Sequence, residues 1–116
     1  MLLAPWFLAI LFILADEIIV GRILRFEYAH HRAEWESDGK PRGVFWIPKE
    51  ARIGWYVTYA SGHAAARARW RWLFSTPDWA SEDTSTRTLV RLHRIFLSAF
   101  VLSAATPFIL AMLLTH

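Results

Sequence analysis

The sequence predicts an all-α membrane protein: two antiparallel transmembrane helices joined by a helical, interfacial cytoplasmic connection. Three observations carry that expectation. The 116 residues are 55% hydrophobic, with 7 Trp, 8 Phe and 3 Tyr, which suits one domain and not two. All 13 Lys and Arg lie between Arg22 and Arg94, leaving both ends of the chain free of positive charge. Long apolar stretches fill those ends, where a soluble domain of this size would alternate apolar and polar residues. The net charge of +3 therefore understates a strongly basic middle. Cysteine is absent, which excludes disulfides and thiolate zinc sites.

The first span is expected over residues 2–21, "LLAPWFLAILFILADEIIVG". The uncharged run before Asp16 is about 15 residues, or roughly 22 Å of helix, against a hydrocarbon core of about 30 Å. The helix must therefore carry Asp16 and Glu17 into the membrane and finish crossing on Ile18, Ile19 and Val20. A cleaved leader is not expected. The start has no basic residue, and Ile13 would sit third before a cut after Ala15.

Helix formers continue through "RILRFEYAHHRAEWES", so the same helix is expected to run to about Ser37, where Asp38-Gly39 stops it. Pairs at i, i+4 are available as Glu27 with His31, His30 with Glu34, and Arg32 with Glu36. Residues 38–48 read as a loop, with Val44, Phe45, Trp46 and Ile47 placed at the headgroups or under the next helix. A helix is expected over 49–74, opened by Pro48, with Ile53, Tyr56, Val57, Ala60 and Ala64 as its stripe. Its end mixes Arg67, Arg69, Trp70, Arg71 and Trp72, a combination that suits an anionic membrane interface. Residues 75–87 read as a polar loop in which Thr84 or Ser85 caps the last helix. That helix spans 88–115, and its part from Ile95 to Thr115 is uncharged and of crossing length. Pro107 predicts a kink near Ser103, with Ser103 and Thr106 available to the freed backbone groups.

Arginines flank both apolar stretches on the inner side: Arg22, Arg25 and Arg32, then Arg87, Arg91 and Arg94. The positive-inside rule makes the connection cytoplasmic and both termini external. In such a hairpin His93 and Arg94 descend to the depth of Asp16 and Glu17. An interhelical pair between these groups would offset the cost of immersing the carboxylates, and a basic group on another protein or the headgroups would serve as well.

One metal-like pattern is present. Glu27 and His30 have the Glu-x-x-His spacing of carboxylate-bridged di-iron helices, with His31 and Glu34 beside them. Such centres need two of these motifs, and the chain holds one. No cofactor is predicted; a metal ion or haem held by Glu27, His30, His31 and Glu34 is the alternative. A phosphate-binding glycine loop and a nucleophile–base constellation are both missing from the sequence, so no catalytic residues are assigned and no enzyme is expected. No nucleic-acid-binding fold is legible either.

The layout, "RIGWYVTYA" in the basic middle and a last span entered through "RLHRIF" and ending in histidine, resembles universal stress protein B, a small two-span inner-membrane protein family of bacteria. The residues that carry the resemblance are Arg52, Trp55, Tyr56, Tyr59, the Arg94–Phe96 region and His116; "HHRAEWESDGKPRGVFWIP" has no counterpart. The resemblance implies a bacterial inner-membrane location and a stress-related or accessory role. It transfers no site residues. The expected partners are the lipid bilayer and either further copies of the chain or a larger membrane complex.

Overall fold

The structure, a computed structural model, describes residues 3–52 and 54–115. Leu2, Ile53 and His116, named above, lie outside the described residues. Those described are helical or irregular, with no strand among them. Helix α1 covers Leu3–His30 and α2 Arg32–Ser37. A 3-10 turn at Lys49–Ala51 precedes α3, Trp55–Arg71, the short α4, Asp78–Ser81, and α5, Thr84–Leu114.

The long helices α1 and α5 pack antiparallel. Trp6 meets Phe108 edge-on at 5.7 Å near one end, Phe12 meets Phe96 at 6.1 Å further along, and Asp16 meets His93 further still. The buried residues of α1 include Ala9, Asp16, Val20, Ile23 and Glu27, which follow a seven-residue rhythm on one face. The core gathers at the polar end of the hairpin. Ile19, Val20, Ile23 and Leu24 of α1 meet Ala65 and Ala68 of α3, Trp72, Trp79 and Ala80, and Val90 of α5.

At the other end the apolar side chains point outward. Leu3, Phe7, Ile10 and Leu11 on α1 and Leu102, Phe108, Met112 and Leu113 on α5 are all exposed. Among the described residues one helix, α5, is long and apolar enough to cross a membrane, and only 6% of its most apolar stretch is buried. The apolar run of α1 stops at Asp16, so its uncharged part is shorter.

Several boundaries differ from the sequence expectations. The first helix does not run unbroken to Ser37: His31, at φ −137 and ψ 56, interrupts it. The expected helix over 49–74 is a 3-10 turn, a break, and then α3. Its buried face is Ser61, Ala64, Ala65 and Ala68; Tyr56 and Ala60, placed on the inner stripe, are exposed. Small residues win because this helix lies close to its neighbours: a Cβ added at Gly39 would meet the Ala64 Cβ at 3.0 Å. The polar loop holds α4, and the last helix starts earlier than residue 88. Its cap is Asp83 rather than Thr84 or Ser85. The Asp83 carboxylate accepts from the Thr86 N–H at 2.9 Å and its hydroxyl at 2.8 Å, and these bonds hold the Asp83 pKa below its ordinary value. Helix α5 continues through Pro107. Thr106 Oγ1 donates to the Leu102 carbonyl at 2.7 Å, not to that of Ser103, the partner Pro107 leaves.

Candidate functional site: a buried ion network

Three elements bring ionisable groups together where the apolar half of the hairpin meets the basic half. Helix α1 supplies Asp16, fully buried, and Glu17; α5 supplies His93, fully buried; the last turn of α3 supplies Arg69. His93 Nδ1 lies 2.7 Å from Asp16 Oδ1, and its Nε2 lies 2.8 Å from the Arg69 carbonyl oxygen. A carbonyl only accepts, so Nε2 carries a hydrogen. The short Nδ1···Oδ1 contact then needs a second proton between ring and carboxyl. Arg69 completes the set. Its Nη2 donates to Glu17 Oε1, and its Nε stands 3.4 Å from Asp16 Oδ2, an ionic contact without hydrogen-bond alignment.

The charge count explains why two acids are tolerated here. The Asp16–His93 pair is neutral overall wherever its shared proton sits. Glu17 and Arg69 cancel. The cluster therefore holds no net charge, which removes the largest penalty for immersing ions in a medium of low dielectric.

The same contacts finish α3. Its last carbonyls have no partners within the helix. His93 takes the Arg69 carbonyl, and Arg94 Nε donates to the Trp72 carbonyl at 2.6 Å. The cationic Arg94 at this helix C-terminus also matches its dipole. Arg94 Nη2 reaches Thr76 Oγ1 at 2.8 Å. The expected pairing of Arg94 with Asp16 or Glu17 is thus corrected: Arg94 serves the chain leaving α3, and Arg69 holds the acids. Arg69 and Trp72 had been placed on the membrane-facing surface. Both turn inward instead, Trp72 edge-on to His93 at 5.8 Å, whereas Arg67, Trp70 and Arg71 are exposed.

The loop over 38–48 closes the site. Trp35 Nε1 donates to the Pro41 carbonyl at 2.9 Å and Arg42 Nε to the Thr58 carbonyl at 2.8 Å. Gly43 crosses α1 at Gly21, where an added Cβ would stand 3.5 Å from the Gly21 Cα. The Val44 N–H faces Glu17 Oε2 at 3.4 Å.

A second acid is buried one layer further from the apolar end. Glu27 has no exposed surface, and neither carboxyl oxygen has a hydrogen-bond partner. Burial, and then the neighbouring Asp38, push its pKa up to about 9, with Arg71 acting the other way. Burial thus favours the neutral form of the Glu27 carboxyl. Its intended partners are elsewhere. The His30 ring lies against Phe26 at 4.8 Å, the His31 ring lies 5.7 Å from Phe26 and 6.1 Å from Trp79, and Glu34 is exposed. Among the described residues no three His, Asp or Glu side chains form a group able to hold a metal ion. Glu27, His30, His31 and Glu34, the residues of the metal or haem alternative, are thus not gathered into one such group. None of the three expected i, i+4 pairs forms an ion pair. Arg32 instead covers the Tyr28 ring at 3.5 Å and reaches Glu50 at 3.9 Å.

The pairing role of Arg69 and the burial of Glu27 were missed from sequence. Both had a signal. Ser61, Ala64, Ala65 and Ala68 form a small-residue face that leads to Arg69 and Trp72 at helical spacing. Asp16, Val20, Ile23 and Glu27 share one stripe of α1.

Compared with known proteins, the chain matches no family model, no curated sequence and no solved structure.

Proposed function

We propose that this chain is a non-enzymatic, two-span integral membrane protein. It acts as an accessory or structural subunit through helix packing and interfacial binding. On this reading α1 crosses beside α5, the connection is cytoplasmic, and both termini are external. The observation that carries it is the neutral network of Asp16, Glu17, Arg69 and His93. It satisfies the two acids that would otherwise bar α1 from the bilayer, and it fixes the hairpin to the basic α3. Both ring nitrogens of His93 are engaged, which supports a structural role over acid–base catalysis. The outward apolar side chains of both long helices support lipid contact along the hairpin. On the inner side Trp55, Tyr56, Tyr59, Trp70 and Phe74 are exposed, a surface suited to headgroups, to further copies or to a larger complex. The resemblance to universal stress protein B supports a bacterial inner membrane and a stress-related setting.

Topology reporters test the reading. A periplasm-active reporter after His116 and a cytoplasm-active reporter inserted after Gly39 are both expected to be active, with the chain retained in membranes after alkaline carbonate extraction. Extraction into the supernatant, or an internal C-terminus, overturns it.

A further inference from the structure

The face of α1 turned away from α5 carries a second regular stripe. Phe7, Leu11, Leu14, Ile18, Arg22 and Arg25 follow one another at four- and three-residue steps, and every one of them is exposed. The stripe is apolar as far as Ile18 and basic from Arg22. Its apolar part, from Phe7 to Ile18, is roughly 16 Å long at about 1.5 Å per residue. Where the polarity changes, the chain builds a recess. Residues Glu17, Ile18, Gly21, Arg22 and Arg25 of α1 and Phe45 and Trp46 of the crossing loop line an open recess of about 360 Å³. Glu17 is matched by Arg69. Arg22 and Arg25 have no carboxylate partner among the described residues. The recess thus presents two uncompensated guanidinium groups beside aromatic walls, at the inner end of an apolar track.

We propose that this recess binds an anionic phospholipid. The phosphate sits between Arg22 and Arg25, and an acyl chain lies along Ile18, Leu14, Leu11 and Phe7. Guanidinium groups recognise phosphate oxygens through paired N–H donors. The half-buried Trp46 and exposed Phe45 suit the amphipathic depth of the glycerol backbone. Charge decides between a lipid and a second copy of the chain. Two copies facing each other in parallel through this stripe would set Arg22 and Arg25 against their own equivalents, whereas an anionic lipid cancels them. The inference rests on the two-span reading and names a ligand for its inner boundary.

The test is native mass spectrometry of the full chain released from phosphatidylcholine nanodiscs into which phosphatidylglycerol is titrated. Retention of phosphatidylglycerol over phosphatidylcholine is expected. The R22Q/R25Q variant should weaken that retention on the order of 30-fold, from the attraction of two interfacial arginines for anionic lipid. R87Q/R91Q, which removes the same charge elsewhere, should retain the lipid as wild type does. Equal retention of both lipids, or unchanged retention in R22Q/R25Q, overturns the proposal. Complete displacement of the lipid by inorganic phosphate would mark a soluble-anion site and overturn it too. A copy number altered by R22Q/R25Q with lipid retention unchanged would assign the stripe to self-association instead. Carbonate extraction of the membranes from which each protein is purified separates the two ideas: a chain that resists extraction yet shows no lipid preference sinks this site and leaves the two-span reading standing.

Discussion

The hairpin has two halves that solve opposite problems. Toward the chain termini, α1 and α5 present Phe7, Leu11, Leu102 and Phe108 outward and bury little. Past Asp16 and His93 the arrangement inverts: apolar residues gather inside around Leu24 and Val90, and charged residues move to the surface, except for a few acids and bases locked within. On the proposed two-span reading, the difference follows from the solvent each half meets. In lipid, apolar surface gains nothing by being hidden, so helices need only close packing and satisfied backbone. In water, burial of apolar area drives folding, and a central core forms. The ion network sits at the junction, where Asp16 is buried from solvent and finds its counter-charges within the fold.

Removing one member of that junction should have the largest effect. Asp16→Ala leaves His93 and Arg69 with one carboxylate between them, inside a site closed to solvent. Breaking a buried ionic set in this way costs about 3–5 kcal/mol. Detergent-denaturation curves of the purified protein are expected to show a loss of that order. Replacing Asp16, Glu17, Arg69 and His93 together with apolar residues of similar size should recover much of it, because no buried polar group is then left without its partner. Equal destabilisation by the single and the fourfold variants would mean that packing, not charge, holds the junction.

The contrast between the halves is sharpened by placing the same residue at matched exposure. Leu102 is 67% exposed on α5 and Tyr59 60% exposed on α3. Leu102→Arg should cost about 2.5–3.5 kcal/mol near the bilayer centre on insertion scales, whereas Tyr59→Arg, on the aqueous side, should stay within about 0.5 kcal/mol. Membrane-integration assays measure the first and thermal melts the second. Similar costs at the two positions would erase the distinction between the halves.

A smaller effect is expected at the start of α5. Asp83→Ala removes the bond to the Thr86 N–H and should cost about 1 kcal/mol, the usual loss for a helix N-cap, seen as a lowered melting midpoint with membrane insertion unchanged. The cap is also instructive about legibility. "SEDTST" offers several capping residues in a row, and composition does not rank neighbours when any of them can accept the bond. Helix class and the apolar ends were readable because segregated charge and span length are coarse, additive signals. The pairing of Asp16 was half-readable. Depth matching along an antiparallel hairpin points to residues near 93, but it does not say that Arg94 finds better acceptors in the Trp72 carbonyl and Thr76. Arg69 was hidden because a run of alternating Arg and Trp looks like surface until the small-residue face of α3 fixes its rotation. Glu27 was misread because Glu-x-x-His spacing describes which residues share a helix face, and not whether that face turns into a core.

Glu27→Gln should have almost no effect at acidic pH and a growing, stabilising one as pH rises. The folded state raises the Glu27 pKa from 4.5 to about 9, so the folded chain keeps a proton that the unfolded chain releases. That contribution to stability is fully present below the unfolded value and is lost as pH rises through the folded one. Wild-type stability is therefore expected to fall between about pH 5 and pH 9. Glutamine matches the shape of the neutral acid and has no proton to lose, so the variant should resemble wild type at the acidic end and surpass it at the alkaline end. Melting temperatures of both proteins across that window decide the matter: parallel pH profiles would show that Glu27 is ionised in the folded chain and that Arg71, not burial, sets its charge.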